Sequence, residues 1–314
     1  MRVLWLIGVL SSTGLALLSL PQLLRDAQQR RWAAWFLALF AIGNGLWLSQ
    51  PWQIWGRIFA TWIPSYLAFK GWRLLYSPHA QIKQLGFWRS LGFILWLGME
   101  LEPWELPRQP DLAWRKNLLI GALWLGLGLA IGLLAWWLPA PNTDLWLLWR
   151  CWLALVGLVI GLFFGVTRLY LALWQAFGWQ VQPLFLQPIY ARSVSEWWGK
   201  RWNLAVHTVL SLVFWQPLKP IIGWRWAAAV VFIASGLLHE LLLSYPAAGG
   251  WGWPLGYFVV QIGATSLERL RSVRAWLRQS DRRQASWTLS WIIIPAPLLF
   301  RPELILGLFA EHLT

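Results

Sequence analysis

Cysteine is almost missing: Cys151 is the only one in 314 residues. No internal disulfide, CxxC pair or cysteine zinc cluster can form from it. It lies between Arg150 and Trp152 with no base beside it, so a small buried residue is expected rather than a nucleophile. Histidine is limited to His79, His207, His239 and His312, with no HxxxH or similar spacing, and no metal site is expected. Charge is scarce as well. Asp, Glu, Lys and Arg make up 12% of the chain, where a soluble domain carries about 25%. Acidic residues are the scarcer sign, 12 against 26 Lys and Arg.

What fills the chain is apolar: 58% hydrophobic residues, with 31 Trp and 15 Phe. The fold expected is an all-α, polytopic transmembrane bundle. No stretch reads as a separate soluble domain, so 1–314 is taken as one integral-membrane domain. The net charge of +14 would point a soluble protein toward nucleic acid. Here the basic residues fill gaps between apolar runs, where membrane topology puts them, and nucleic acid is not an expected partner. The same charge suits anionic membrane lipids or an anionic substrate.

The apolar runs predict about eight spans. Val3 to about Leu24 reads as a retained first span, because it lacks an A-x-A-like cleavage site and exceeds a usual signal-peptide core. Spans two and three follow at about Trp32–Ser49 and Trp52–Phe69, separated by a tight turn at Gln50 and Pro51. A basic connection then holds Lys70, Arg73, His79, Lys83 and Arg89. Gly86–Leu101 is short and ends in Glu100, Glu102 and Glu105, which fits an in-plane or re-entrant helix. Pro103, Pro107 and Pro110 keep the next segment non-helical. Span four is Asn117–Leu138, followed by a turn at Pro139, Pro141, Asn142 and Asp144. Span five is Leu145–Trp174, interrupted by Arg150 and Arg168. Leu204–Leu218 lies in the interface or dips into the membrane. Spans six and seven are about Trp226–Tyr245 and Trp253–Leu267. A connection rich in Arg follows, and span eight runs from Trp287 to about Ala310, kinked at Pro295 and Pro297. Placing the connections after spans one, three, five and seven in the cytoplasm puts nearly all loop Lys and Arg on one side. No internal repeat supports an inverted-repeat transporter. The host membrane is either a bacterial inner membrane or endoplasmic reticulum.

Two places carry residues suited to chemistry. His239 and Glu240 sit side by side in span six, where an ionisable pair marks a functional site by default. Ser235 lies one turn before His239 on the same helical face. Gly236 leaves room for a close approach, and Glu240 projects toward a Lys or Arg on another helix. The second place is Arg192–Asn203, where Trp197, Trp198 and Trp202 alternate with Glu196, Lys200 and Arg201. An interfacial helix explains the Trp and the cations, but not the Asn203 that leads into the next apolar run. His207, four residues beyond Asn203, is a rival base on what would be the same helical face.

The stretch Ser195-Glu196-Trp197-Trp198-Gly199-Lys200-Arg201-Trp202-Asn203 resembles the S-x-x-F-W-G-R-R-W-N-type motif of the wax-synthase-like branch of the membrane-bound O-acyltransferases. Ser235-Gly236-Leu237-Leu238-His239-Glu240 resembles that branch's S-G-L-x-H-E motif, at a matching separation. The departures are Trp197 for Phe and Lys200 for Arg, and a Lys cannot replace a bidentate Arg contact. The clear resemblance covers about 188–245. It implies acyl transfer from acyl-CoA, a co-substrate with no further cofactor, to the hydroxyl of a lipophilic alcohol. His239 and Asn203 are then the catalytic pair, with His239 as general base and Asn203 orienting or stabilising the thioester carbonyl. Trp198, Lys200, Arg201, Trp202, Ser235 and Glu240 are the substrate-binding set. Arg192, Lys200 and Arg201 have two open readings, contacts to the phosphates of CoA or topology anchors. Two other functions stay open: a non-catalytic lipid carrier on the same scaffold, and acyl transfer to a polymer across the membrane.

Overall fold

The computed structural model describes residues 1–109, 113–139 and 143–313. Among these residues every regular element is helical. In order they are α1 (Arg2–Leu23), α2 (Ala27–Ser49), α3 (Ile54–Tyr76), α4 (His79–Leu95), α5 (Ala113–Trp137), α6 (Asp144–Ala176), α7 (Leu204–Ala247), α8 (Trp253–Leu267), α9 (Arg271–Leu277), α10 (Asp281–Leu299) and α11 (Pro302–Leu313). Pro110, Pro141 and Asn142, expected in connections, lie outside the described residues.

Helices α1, α2, α5, α6 and α7 are long and apolar enough to cross a bilayer, and α10 with α11 passes the same test as a pair bent by 74°. The result is a helical membrane bundle. The two remaining expected spans are also helices, but of another kind. α3 carries Arg57, Lys70 and Arg73. α8 has 15 residues, about 22 Å of helix against roughly 30 Å of hydrocarbon. Outward faces are apolar: Leu119 on α5 is 62% exposed and Trp88 on α4 is 78% exposed. Lipid is the solvent such faces fit.

Contacts divide the chain into two compact units, each built from separate stretches of sequence. The first is Met1–Glu105 with Ala205–Pro246, and the second is Leu106–Leu204 with Ala247–Thr314.

In the first unit, Asp26 caps α2 by accepting from the Gln29 amide at 2.8 Å, and the turn at Gln50 and Pro51 brings α3 back along it. Gly45 allows the pair to close up. A Cβ there would sit 2.1 Å from the Ala60 carbonyl oxygen. The basic connection expected from Lys70 is instead the last two turns of α3. The reason lies in the segment it holds. α4 is broken at Gly86 (φ +65°) and gives way to irregular backbone after Leu95, which leaves carbonyls without helical partners. Three side chains on one face of α3 supply donors. Tyr66 donates to Ile94 at 2.7 Å, Lys70 to Phe93 at 2.7 Å and also to Gly98, and Arg73 to Met99 at 2.9 Å. Lys70 is fully buried in doing so. α7 also corrects the sequence division. Leu204–Leu218 and the sixth span form one helical run, turned at Gly223, where φ of +79° suits glycine.

In the second unit, small residues bring α5 and α6 into backbone contact. A Cβ at Gly128 would lie 2.5 Å from the Gly161 nitrogen, and one at Gly157 2.7 Å from the Gly128 oxygen. This is the packing that membranes favour, since lipid tails give helices no hydrophobic reason to associate. Arg150 does not interrupt α6. It is buried and donates to the carbonyls of Ala135 at 2.8 Å and Trp136 at 3.0 Å, capping the end of α5. Cys151 is buried beside it in a cluster with Ala135, Leu155 and Ile305.

Candidate active site

The Trp-rich motif belongs to the second unit and is a tightly bonded turn, not an interfacial helix. Ser193 caps a short helical turn, Val194–Glu196, by accepting from the Glu196 amide at 2.9 Å. A π turn, Trp197–Arg201, follows and closes with the Trp202 amide on the Trp197 carbonyl at 2.8 Å. Two backbone bonds then tie its end to the preceding segment: Leu186 N–H to Arg201 at 2.8 Å, and Leu204 N–H to Leu184 at 3.0 Å. Between them Asn203 is forced to φ +42°. Asn tolerates this left-handed region better than most residues, and strain of this kind gathers at functional sites.

Aromatic rings and one carboxylate hold the turn from behind. Trp197 stacks on Trp202 with centroids 5.3 Å apart, and Trp202 meets Phe185 edge-on at 5.0 Å. Glu268, at the end of α8 and buried, accepts from the Val194 amide at 2.6 Å. It also accepts from the Ser195 amide and hydroxyl, both at 3.3 Å, and from the Trp287 indole at 3.0 Å. The sequence reading counted Glu268 only as one acid in a basic connection. Its signal was its place, one residue beyond an apolar run. Gln261, fully buried on α8, was missed outright. It accepts from the Trp198 indole at 3.1 Å and donates to the Trp291 carbonyl at 2.8 Å.

These contacts redefine the expected binding set. Trp198 and Trp202 are packing and anchoring residues of the turn. Arg201 is engaged: its Nε pairs with Glu196 at 2.7 Å, and its Nη1 donates to the carbonyls of Leu186 at 3.1 Å and Gln187 at 3.3 Å. Burial works against the Glu196 charge, but the Arg192 amide and the Arg201 guanidinium outweigh it and hold the carboxyl below its ordinary value. Lys200 is exposed.

The histidine motif belongs to the first unit. α7 carries Ser235 and His239 into a second π turn, Glu240–Ser244. His239 Nδ1 lies 2.7 Å from the Ser235 carbonyl oxygen. A carbonyl oxygen only accepts, so Nδ1 bears the proton, and the lone pair of the neutral ring is on Nε2. Ser235 thus contributes its backbone, not its hydroxyl. Glu240 is buried and accepts from the Ser244 hydroxyl at 2.7 Å, one turn along its own helix rather than on another. The π turn itself is pinned. Trp62 donates to the Leu242 carbonyl at 3.0 Å, and Tyr245 donates to the Leu46 carbonyl at 2.6 Å beside Ser49. Single π turns inside α-helices recur at functional sites, and both motifs here contain one. His207 does not share a helical face with Asn203, because Asn203 stands outside α7 in its left-handed conformation. Among the described residues, no three His, Cys, Asp or Glu side chains gather as metal ligands would.

Residues 181–260 match the model of the "Membrane bound O-acyl transferase family", a stretch that contains both motifs. Bundle and motif together are those of a wax-synthase-like member of that class. The similarity extends to individual proteins. Over 139 residues the chain is 30% identical to Long-chain-alcohol O-fatty-acyltransferase of Simmondsia chinensis, covering 41% of this chain and 40% of that one. Over 134 residues it is 28% identical to Acyl-CoA--sterol O-acyltransferase 1 of Arabidopsis thaliana, covering 40% of this chain and 39% of that one. The chain spans about 40% of the length of the curated relatives it matches.

Proposed function

We propose that the chain is one acyltransferase domain, 1–314, which moves a fatty acyl group from acyl-CoA to the hydroxyl of a lipophilic alcohol. The product is a wax-type ester. The relatives' names support this donor and this kind of acceptor. The observation that carries the catalytic assignment is the His239–Ser235 bond, which leaves Nε2 as the basic atom of a ring fixed in orientation. In this reading Nε2 takes the proton of the alcohol as its oxygen bonds to the thioester carbon. Asn203 donates its amide hydrogens to the carbonyl oxygen as negative charge develops there. The C–S bond then breaks, and the proton on His239 passes to the departing thiolate of CoA. No acyl-enzyme is needed, so the buried Cys151 is no obstacle. A multi-pass topology with the Arg192–Asn203 segment on the cytoplasmic side agrees with the charge distribution and with a water-soluble donor.

The test uses protein in membranes or detergent, radiolabelled palmitoyl-CoA and a panel of fatty alcohols, sterols and diacylglycerol. Wild type is expected to form ester with at least one acceptor. His239→Ala is expected to lose about 10²–10⁴-fold, the usual worth of a general base, while its melting temperature holds. Activity surviving in His239→Ala but lost in His207→Ala would move the base to His207. Well-folded wild type that makes no ester, yet still exchanges labelled lipid between vesicles, would make the chain a carrier.

A further inference from the structure

The second unit has a cavity of about 330 Å³ beside the motif turn, lined by Arg192, Ser195, Glu268, Arg269, Arg274 and Arg278 among others. Its volume is at the small end of ligand sites, roughly 300–1,000 Å³. Three separate stretches deliver the four arginines: the motif segment, the link after α8, and α9 with the residue that caps it. Arg274 and Arg278 are four residues apart, hence on one helical face, and neither guanidinium meets a carboxylate among the described residues. Glu268 is the one acid in the wall. Its two oxygens are taken up by Val194, Ser195 and Trp287, so it serves the turn rather than the arginines.

Topology alone asks only that basic residues lie on one side of the membrane. It gives no reason for four like charges to converge on one hollow, which costs repulsion. Arg271 and Arg282 belong to the same connection and do not line the cavity. Convergence is rewarded when an anion with several acceptor oxygens sits between the guanidiniums, and the planar Arg fork matches a phosphate bidentately. Sequence reasoning assigned phosphates to Arg192, Lys200 and Arg201. Of these, Arg201 is committed to Glu196 and Lys200 is not in the wall.

We propose that this arginine cavity binds the phosphate groups of the acyl donor, which would set its thioester end beside the motif turn. The inference rests on the acyltransferase reading above. A phospholipid headgroup offers the same phosphate chemistry, and the experiment separates the two.

Full-length protein is placed in nanodiscs of phosphatidylcholine alone or with phosphatidylglycerol. Free CoA affinity and ester kinetics are measured for wild type, Arg274→Gln/Arg278→Gln, and the control pair Arg271→Gln/Arg282→Gln, which removes equal charge. In phosphatidylcholine discs the cavity pair is expected to weaken CoA binding and raise KM for acyl-CoA at least tenfold, with kcat within about threefold. The control pair is expected to stay within twofold. Arg274→Lys/Arg278→Lys, which keeps charge without the fork, should recover part of the loss and guards against misfolding of the Gln pair. Unchanged CoA affinity and KM in the folded cavity pair would overturn the proposal. The same result with loss of co-purifying phosphatidylglycerol would assign the cavity to a lipid headgroup and overturn it equally. Wild type that binds CoA through these arginines but makes no ester would leave the cavity standing and remove the acyltransferase reading.

Discussion

Asn203 shows how one residue can be chosen twice, once for its backbone and once for its side chain. Two flanking backbone bonds force φ to +42°, a region costing most residues about 1–2 kcal/mol. The two demands separate by substitution. Asn203→Gly keeps the backbone at ease and removes the amide, whereas Asn203→Ala removes the amide and adds about 1 kcal/mol of strain. Both are expected to lose ester formation by about 10²–10³-fold, the worth of one oxyanion donor, and only the Ala variant should also melt lower. Full activity in Asn203→Gly would show that the amide is not used. Glu196 makes a different prediction. Its carboxyl titrates below its ordinary value because the Arg192 amide and Arg201 outweigh its burial. The stability it contributes is therefore complete above the ordinary carboxylate value and disappears as pH falls through the lowered one. Melting temperature followed from pH 6 downward should drop across that window in the wild type. Glu196→Gln should start lower and show a shallower fall.

At the scale of the element, the motif turn is a short piece of chain whose shape is imposed from outside. A three-residue helical turn followed by a π turn has little stability of its own. Glu268 supplies what the turn lacks, an acceptor for two amides and a hydroxyl, while its charge strengthens each bond. Glu268→Ala leaves those donors unpaired in a buried place, at about 1–3 kcal/mol for each. It should abolish ester formation together with a large fall in melting temperature. Glu268→Gln keeps the shape, turns one acceptor into a donor, and should fall between. A Glu268→Gln variant as active and as stable as wild type would remove the carboxylate from any part in holding the turn.

At the scale of the molecule, the apolar outer faces predict that the protein stays in the membrane pellet through an alkaline carbonate wash and leaves it only with detergent; release by carbonate would contradict a bundle exposed to lipid. Most of that architecture was legible beforehand, because a run of about 20 apolar residues is read directly from the chain. The helix count was less so: α3 holds three cations whose partners, the carbonyls around residues 93–99, lie more than 20 positions away in sequence. In the site, the residue types of both motifs were legible, and their geometry was not. Arg201 looked like a phosphate ligand because its preference for Glu196 depends on a π turn that carries no distinctive composition. Glu268 and Gln261 were hidden for the same reason. Their partners are 60 to 75 residues distant in the chain and meet only in the folded unit.

A π turn is an α-helix that has taken in one extra residue, and this fact sets the tolerance of α7 to changes in length. Removing one residue from Glu240–Ser244, such as Leu242, would let the helix run on in regular α form. Everything beyond would then rotate by about 100° and retreat by about 1.5 Å relative to His239. Tyr245 would lose its place against Ser49 and Leu46. Substitutions at the lipid-facing Leu237 leave this frame untouched, whereas a single-residue deletion resets it. Length, not composition, is therefore the quantity that the stretch after His239 has to keep.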